Sequence, residues 1–471
     1  MSESGQESIR LSLVGAIVAV ATIGGLLFGY DSGAVNGTQA GLRDAFALDD
    51  AGLGFTVGSL LIGCAVGAFL AGRLADAVGR KRVMMMSAII FLIGALIQGL
   101  TSDHILFVIA RFAGGMAVGA ASVLSPAYIS EVAPAQMRGR LTSVQQVMII
   151  TGLTLAFVVN YLLAQIAGDS LGVIAGHPAW RWMYLAQSVP AAIYLIALFS
   201  IPESPRYLVS RNRTGEAEAI LGRLFGPITA SAKVKEIRAS FSHDHRPRLR
   251  DVTAPGTILR PIVWAGLVLA VFQQLVGINV IFYYGETLWK LAGASEETAL
   301  QRNIISGFVS IAACFVAIGL VDRIGRKPLL LIGSAGMAVT LGSMTWAFTS
   351  GSLDMAGNLV LPQSIGMIAL IAANLYVIFF NISWGPVMWV MLGEMFPNQL
   401  RGSALAVCGL AQWAANYAVV QSFPGMASGL GLGVTYAFYT CCAAISFFLV
   451  RSFIKETKGK ELEEMEGWHE S

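Results

Sequence analysis

Apolar runs of about twenty residues or more alternate with short polar segments along the whole chain. Such runs are roughly three to four times the length of a typical strand and show no in–out alternation, so each predicts a helix. At about 1.5 Å per residue, a helix of this length crosses the roughly 30 Å hydrocarbon core of a bilayer. Twelve spans are predicted, at about 11–36, 53–76, 83–101, 105–130, 141–167, 182–201, 261–292, 302–321, 328–350, 365–393, 402–423 and 431–453. The first run is too long for the core of a secretory leader and continues through Asp31 without a small-residue cleavage site, so it reads as span 1.

The polar punctuation repeats. "GRLADAVGRKR" at 72–82 returns as "GLVDRIGRKPL" at 319–329, with Asp76 and Asp322, and Arg80 and Arg326, each 246 residues apart. "SEVAPAQMRGR" at 130–140 returns as "GEMFPNQLRGS" at 393–403, with Glu131 and Glu394, and Arg138 and Arg401, each 263 apart. "IPESPR" at 201–206 is matched by "IKETKG" at 454–459, with Glu203 and Glu456 separated by 253. Three motifs in one order at nearly one offset divide the chain into an N-terminal six-helix half (1–205), a polar linker (206–260), a C-terminal six-helix half (261–454) and a tail (455–471). The expected fold is an all-α membrane protein: twelve transmembrane helices in two pseudo-symmetric halves, with short helices in the central loop. Apolar residues at helical spacing in 216–225 and 233–241 predict those short helices as amphipathic.

Composition and charge sharpen this picture. Only 13% of residues are charged and 55% are hydrophobic, against about 25% charged in a soluble domain. Of 31 Lys and Arg, 26 fall at Arg10, in or beside the even-to-odd loops, or in the tail; four fall on the other side and Arg111 lies within span 4. That bias predicts both termini and the linker in the cytoplasm, and it accounts for the net charge of +3 without a nucleic-acid partner. The five Cys show no metal-ligand spacing and read as inert helix thiols. The five His fall in loops or tails and receive no role. No nucleotide loop, metal cluster or nucleophile motif appears, so an enzyme is not expected and no cofactor is implied; "RFAGGMAVG" lies inside a span and follows no strand.

The polar residues inside the spans carry the chemistry. Asp31 and Arg111 are an acid and a base within the spans of one half, and an ionised group in hydrocarbon needs a partner or a task. Span 7 holds Gln273, Gln274, Asn279, Tyr283 and Tyr284, with Gly277 as a candidate break. Span 10 carries Gly385-Pro386 as a second interruption, beside Trp384 and Trp389; span 11 adds Gln412, Trp413 and Asn416, and span 5 adds Gln145 and Gln146. Amides donate to and accept from hydroxyls while an aromatic face covers apolar C–H, a pairing that suits a sugar. The repeated acid–base sets Asp76/Arg80, Glu131/Arg138, Asp322/Arg326 and Glu394/Arg401 are expected to latch the two halves together at one side of the membrane. "GCAVG" (63–67) and "GGMAVG" (114–119) carry the Gly-x-x-x-Gly spacing of close helix contact.

On "GGLLFGYD" (24–31), "GRLADAVGRKR", "RFAGGMAVG" (111–119), "PESPRYL" (202–208), "QQLVGINVIFYY" (273–284), "DRIGRKPL" (322–329), "SWGPVMWVMLGEMFPNQLRG" (383–402), "AQWAANY" (411–417) and "KETKGKELEEME" (455–466), the chain resembles the sugar porter family of the major facilitator superfamily, most of all its bacterial D-xylose–proton symporters. The resemblance implies sugar contacts at Gln146, Gln273, Gln274, Asn279, Tyr283, Trp389 and Gln412, with Phe28, Gly385, Trp413 and Asn416 completing the wall. It implies proton coupling at Asp31 and Arg111 and a cytoplasmic gate at Asp76, Arg80, Glu131, Arg138, Glu203, Asp322, Arg326, Glu394, Arg401 and Glu456. Two departures stand out. Lys455-Glu456-Thr457 replaces the family's Pro-Glu-Thr, and Ser310 stands where many members have Asn, a shorter side chain that leaves room for a bridging water. The implied function is monosaccharide import with protons, by a monomer in the inner or plasma membrane. An uncoupled sugar facilitator is the alternative. A transporter-like sugar sensor is a further one, disfavoured by a tail of about 18 residues after Phe453.

Overall fold

The computed structural model describes residues 10–134, 137–243, 252–253, 258–353 and 359–458. Twelve helical spans are long and apolar enough to cross a membrane: Leu11–Asn36, Asp50–Val78, Arg80–Leu100, His104–Val132, Val144–Ala167, Ala179–Ser200, Pro261–Leu291, Glu296–Val321, Arg326–Thr349, Gln363–Met395, Leu400–Gly429 and Gly431–Phe453. They are numbered spans 1–12 below. The helices run a few residues beyond the apolar runs where capping residues extend them. Asp49 caps span 2 by accepting from the Gly52 N–H, Asp103 caps span 4 and Ser295 caps span 8, so span 8 begins at Glu296 and not near 302.

Three spans are broken. Span 7 divides into Pro261–Leu275 and Ile278–Leu291 at Gly277, whose φ of +84° is a left-handed conformation that costs a residue with a side chain. A Cβ there would also press on the Tyr439 ring at 2.9 Å. Span 10 breaks into Gln363–Ile382 and Trp384–Met395 at Ser383 (φ −131°, ψ −90°), two residues ahead of the expected Gly385-Pro386. Pro386 falls in the first turn of the second piece, where its missing N–H costs nothing, so the break moves upstream of it. Span 6 divides into Ala179–Leu185 and Ser188–Ser200, a break the sequence reading does not contain.

Spans 2 and 4 pack backbone to backbone through the two glycine motifs. A Cβ on Gly63 or Gly67 would lie 2.1 or 2.0 Å from the carbonyl oxygens of Phe112 or Met116, and one on Gly119 would lie 2.1 Å from that of Cys64. Larger residues would force the helices apart. The linker forms helices Pro205–Ser210, Thr214–Phe225 and Pro227–His243; the first was not expected. Leu221, Leu224 and Phe225 are buried, and the Leu224 carbonyl accepts from the Arg10 N–H, so the linker packs under the start of span 1. Of the thiols, Cys441 is exposed, contrary to the expectation of inert burial, while the other four are buried.

Candidate functional site

Two polar clusters occupy the middle of the bundle, one in each half. In the C-terminal half the breaks in spans 7 and 10 create the cluster. Gln273 Nε2 donates to two carbonyls in the first turn of the second piece of span 10, Trp384 O at 3.0 Å and Gly385 O at 3.3 Å, as a second donor beside the helix's own ladder. Gln273 Oε1 accepts from Gln274 Nε2 at 3.1 Å and from Gln412 Nε2 at 3.3 Å. The turn at Gly277 folds Asn279 back, so that its Nδ2 donates to Gln274 Oε1 at 2.6 Å and to Asn416 Oδ1 at 2.8 Å. Five of the predicted sugar residues therefore form one hydrogen-bonded network across spans 7 and 11. Gln412 Oε1 is buried without a protein partner, an acceptor left for a hydroxyl donor.

The predicted wall is assembled only in part. Phe28 of span 1 meets Trp413 of span 11 edge to face, with centroids 5.7 Å apart, across the two halves. Trp389 is half exposed on span 10, and Gln146 is half-buried on span 5, both outside the amide network. Its neighbour Gln145 is buried against Gly25 with neither amide atom partnered. Trp384, expected beside the site, turns its indole away to Ser334 Oγ (2.9 Å) and Leu330 O (3.2 Å) on span 9. Ser310 is fully buried and donates its hydroxyl proton to Ser306 O at 2.7 Å, one turn back on its own helix.

In the N-terminal half the cluster is ionic. Asp31 and Arg111 are both fully buried, with Arg111 Nη2 3.5 Å from Asp31 Oδ2. Arg111 is held more closely by neutral groups: Nε donates to Thr56 O (3.1 Å), Nη2 to Val57 O (3.3 Å) and Nη1 to Gln98 Oε1 (3.3 Å), while its guanidinium lies 5.8 Å from the Tyr184 ring centre. Asp31 Oδ1 meets no donor in full hydrogen-bonding geometry, and the Gln187 amide lies beside the carboxylate, loosely placed. The base is thus anchored independently of the acid. Sequence reasoning found the pair but not its holders, because main-chain carbonyls leave no residue signature.

The two clusters meet along a seam that the sequence reading missed. Ser32, next to Asp31, donates to the Tyr283 hydroxyl at 3.0 Å. One turn on, Asn36 Nδ2 donates to Phe282 O (2.9 Å), and its Oδ1 accepts from the Glu286 N–H (2.9 Å) and from Asn303 Nδ2 (2.7 Å). Gln39 donates to Tyr283 O and accepts from Thr287 Oγ1, both at 2.5 Å. Ser170 N–H to Glu296 (2.7 Å) and Gln421 to Ala51 O (3.1 Å) extend the seam. Among the described residues, the hydrogen bonds between the halves all lie from mid-bundle toward the face opposite the termini.

At the face carrying the termini the repeated motifs behave otherwise than expected. Among the described side chains, the ion pairs of these motifs close within one half. Arg80 pairs with Asp76 (2.9 Å) and with Glu131 of span 4 (3.3 Å); Arg326 grips Glu394 of span 10 through two bonds of 3.0 and 2.8 Å. Of the partners expected from spacing, Asp76 and Arg80 pair, whereas Glu394 takes Arg326 in place of Arg401, whose Nε donates to Phe396 O (3.3 Å) and whose Nη2 is buried without a hydrogen-bond partner. The side chains of Arg138 and Asp322 lie outside the described residues. Ser204 donates to Glu131, and Thr457 to Glu394 at 2.6 Å, at equivalent places in the two halves. Glu203 accepts from the N–H groups of Lys81 and Ser204. Glu456 likewise accepts from Arg326, Lys327, Thr457 and Lys458. Partial burial works against the Glu456 carboxylate, but these four N–H groups outweigh it and hold its pKa below the usual glutamate value.

The family profile described as Sugar (and other) transporter matches residues 17–468. The chain belongs to the sugar porter family of the major facilitator superfamily. It is similar to a glucose transport protein of Synechocystis sp. (44% identical over 466 residues, covering 98% of this chain and 99% of the relative). It is also similar to the D-xylose-proton symporter of Escherichia coli strain K12 (38% over 490 residues, 97% and 95%). Among solved structures, the inward-open xylose transporter XylE from E. coli superposes with a TM-score of 0.81 at 35% identity, covering 97% of this chain and all of that one. XylE bound to 6-bromo-6-deoxy-D-glucose gives 0.78 at 37% identity, covering 98% and 100%. Among the described residues, the hydrogen bonds of the seam between the halves run from mid-bundle toward the face opposite the termini, which fits the first of these shapes.

Proposed function

We propose that this sugar porter imports a monosaccharide, a pentose or hexose of the xylose or glucose kind, together with protons. It works by alternating access across the inner or plasma membrane, as a monomer with both termini in the cytoplasm. Sugar contacts fall to the span 7 and span 11 amides, Gln146, Tyr283, Trp389 and Trp413, and proton binding to Asp31. The observation that carries the coupling is the shared seam. Span 1 holds both Asp31 and the seam residues Ser32 and Asn36; span 7 holds both the amides and the seam carbonyls of Phe282 and Tyr283. A proton arriving on Asp31 removes the charge that attracts span 1 to Arg111, while Arg111 stays fixed by its carbonyl partners. A sugar gripped by Gln273, Gln274 and Asn279 pulls on span 7 on either side of Gly277. Both ligands thus bias one two-state contact, which is what thermodynamic coupling requires.

With the termini cytoplasmic, the seam closes the outer side and the arrangement is inward-facing. The paired sets Arg80/Glu131 and Arg326/Glu394 then brace the inner ends of each half, and the latch between halves, with Arg138 and Arg401, belongs to the outward-facing state. Uptake of radiolabelled pentoses and hexoses into vesicles, with and without an imposed pH gradient, tests the whole reading. Concentration of one or more sugars under the gradient is expected. Equilibration without concentration would make the protein a facilitator.

A further inference from the structure

The break in span 7 divides the amides. Gln273 and Gln274 lie in the last turn of the first piece, and Asn279 lies in the first turn of the second. Their spacing therefore depends on how Val276 and Gly277 are held. A carbonyl at the C-terminal end of a helix lacks the N–H four residues on that would bind it, and when buried it needs another donor. Val276 is fully buried, and the Val280 N–H, which would serve its carbonyl in an unbroken helix, goes to Gly277 O at 3.1 Å. The donor comes from span 10. Tyr376, fully buried in the first piece of that span, gives its hydroxyl proton to Val276 O at 2.7 Å. Gln273, three residues before Val276, reaches Trp384 O and Gly385 O in the second piece of span 10. The end of the first piece of span 7 is thus fixed to both pieces of span 10. A second tyrosine supplies the contrast. Tyr439 of span 12 lays its ring where a Gly277 side chain would go, yet its buried hydroxyl meets no hydrogen-bond partner. Of these two tyrosines at one break, Tyr376 alone holds it through oxygen.

We propose that Tyr376 is a positioning residue of the sugar site: by holding the Val276 carbonyl, its hydroxyl sets the spacing between the Gln273–Gln274 pair and Asn279, and it touches no sugar itself. The inference rests on these amides being the sugar ligands. A ring sugar carries its hydroxyls at fixed separations, so donors and acceptors that grip it from both sides of a break need a fixed break. Without the tyrosine hydroxyl a buried carbonyl is left unpaired. Rotation of the Val276–Gly277 peptide relieves that, since glycine tolerates the new angles, and the rotation carries Asn279 away from Gln274. Span 10 thereby acquires a part in sugar recognition from its first piece, behind the amides and apart from the wall residues Gly385 and Trp389.

The test uses the full chain, with binding of D-glucose and D-xylose measured by calorimetry and counterflow measured in proteoliposomes. Tyr376→Phe keeps the ring and removes the hydroxyl. Its sugar Kd should rise by about tenfold, while the maximal counterflow rate stays within about twofold of wild type. Tyr439→Phe, which removes the unbonded hydroxyl beside the same glycine, should bind sugar as wild type does. In a Gln274→Ala background the further loss from Tyr376→Phe should shrink to about twofold, because the hydroxyl acts through the amides. Wild-type affinity in Tyr376→Phe would overturn the proposal, and so would an equal loss in Tyr439→Phe. The same loss added in full to that of Gln274→Ala would also overturn it, reducing the hydroxyl to packing. Wild-type affinity in Gln274→Ala alone would instead remove the amides from the sugar site, and the positioning role with them.

Discussion

At mid-membrane the two halves of this transporter solve opposite problems. The N-terminal half buries a full charge pair and gives Arg111 four neutral acceptors, whereas Asp31 has one long contact and an unpartnered oxygen. The C-terminal half gathers five amides, four of them buried, without a charge among them, and each is bound to another amide or to a carbonyl at the start of the second piece of span 10. Charge in a low-dielectric interior responds to a single proton, so the first arrangement suits a titrating switch. Linked amides recognise hydroxyls by number and direction, and their binding depends little on pH, so the second suits a neutral polyol. Under the proposed function, the halves share a fold and divide the ligands.

Substitutions that erase one side of this division should have unequal effects. The largest is expected for Arg111→Leu. Removing one partner of a buried ion pair typically costs about 3–5 kcal/mol, so thermal stability should fall and proton-driven uptake should be lost. A variant as stable and active as wild type would mean that neither the charge nor its carbonyl cage matters. Next comes Gln274→Ala, which leaves Asn279 bound to Asn416 alone and breaks the amide chain to Gln273. Sugar affinity should weaken by about 1–3 kcal/mol, or roughly five- to 150-fold, with proton binding untouched. Unchanged affinity in the folded variant would remove Gln274 from the site.

The seam gives a smaller effect. Asn36→Ala deletes bonds to Phe282, Glu286 and Asn303 and should shift the population toward opening opposite the termini. A cysteine introduced at Val280, now fully buried, should label about tenfold faster in that background. No gain in labelling would mean that packing alone closes that face. The smallest effect is expected at the bundle ends. Arg138→Ala or Arg401→Ala should raise labelling from the cytoplasmic side by a few fold at most, as part-exposed ion pairs contribute about 1 kcal/mol or less. No change would leave these as solvated loop charges.

Much of this architecture was legible in the chain. Twelve apolar runs, three duplicated motifs and the Gly-x-x-x-Gly spacings foretold the spans, the halves and the tight contact of spans 2 and 4. Gly277 announced the break in span 7, since a lone glycine between amides has little other use there. The break in span 10 was placed late because Gly-Pro reads as an interruption, while proline is harmless in a helix's first turn. Asn36 and Gln39 escaped notice because polar residues at a span's end look like residues facing the headgroups; only the fold shows them against span 7. Partner choice was the least legible. Within its motif Glu131 stands near Arg138, yet the helix packing delivers Arg80, and Glu394 likewise receives Arg326 and not Arg401.

The division of labour between the halves is tested most directly by Asp31→Asn, which keeps size and hydrogen bonding but cannot titrate. The measurement is proton-driven accumulation and sugar counterflow, side by side in the same vesicles. The account predicts that accumulation disappears while counterflow and sugar affinity survive, because the amides of the C-terminal half are untouched. An Asp31→Asn protein that still concentrates sugar under a pH gradient would contradict it.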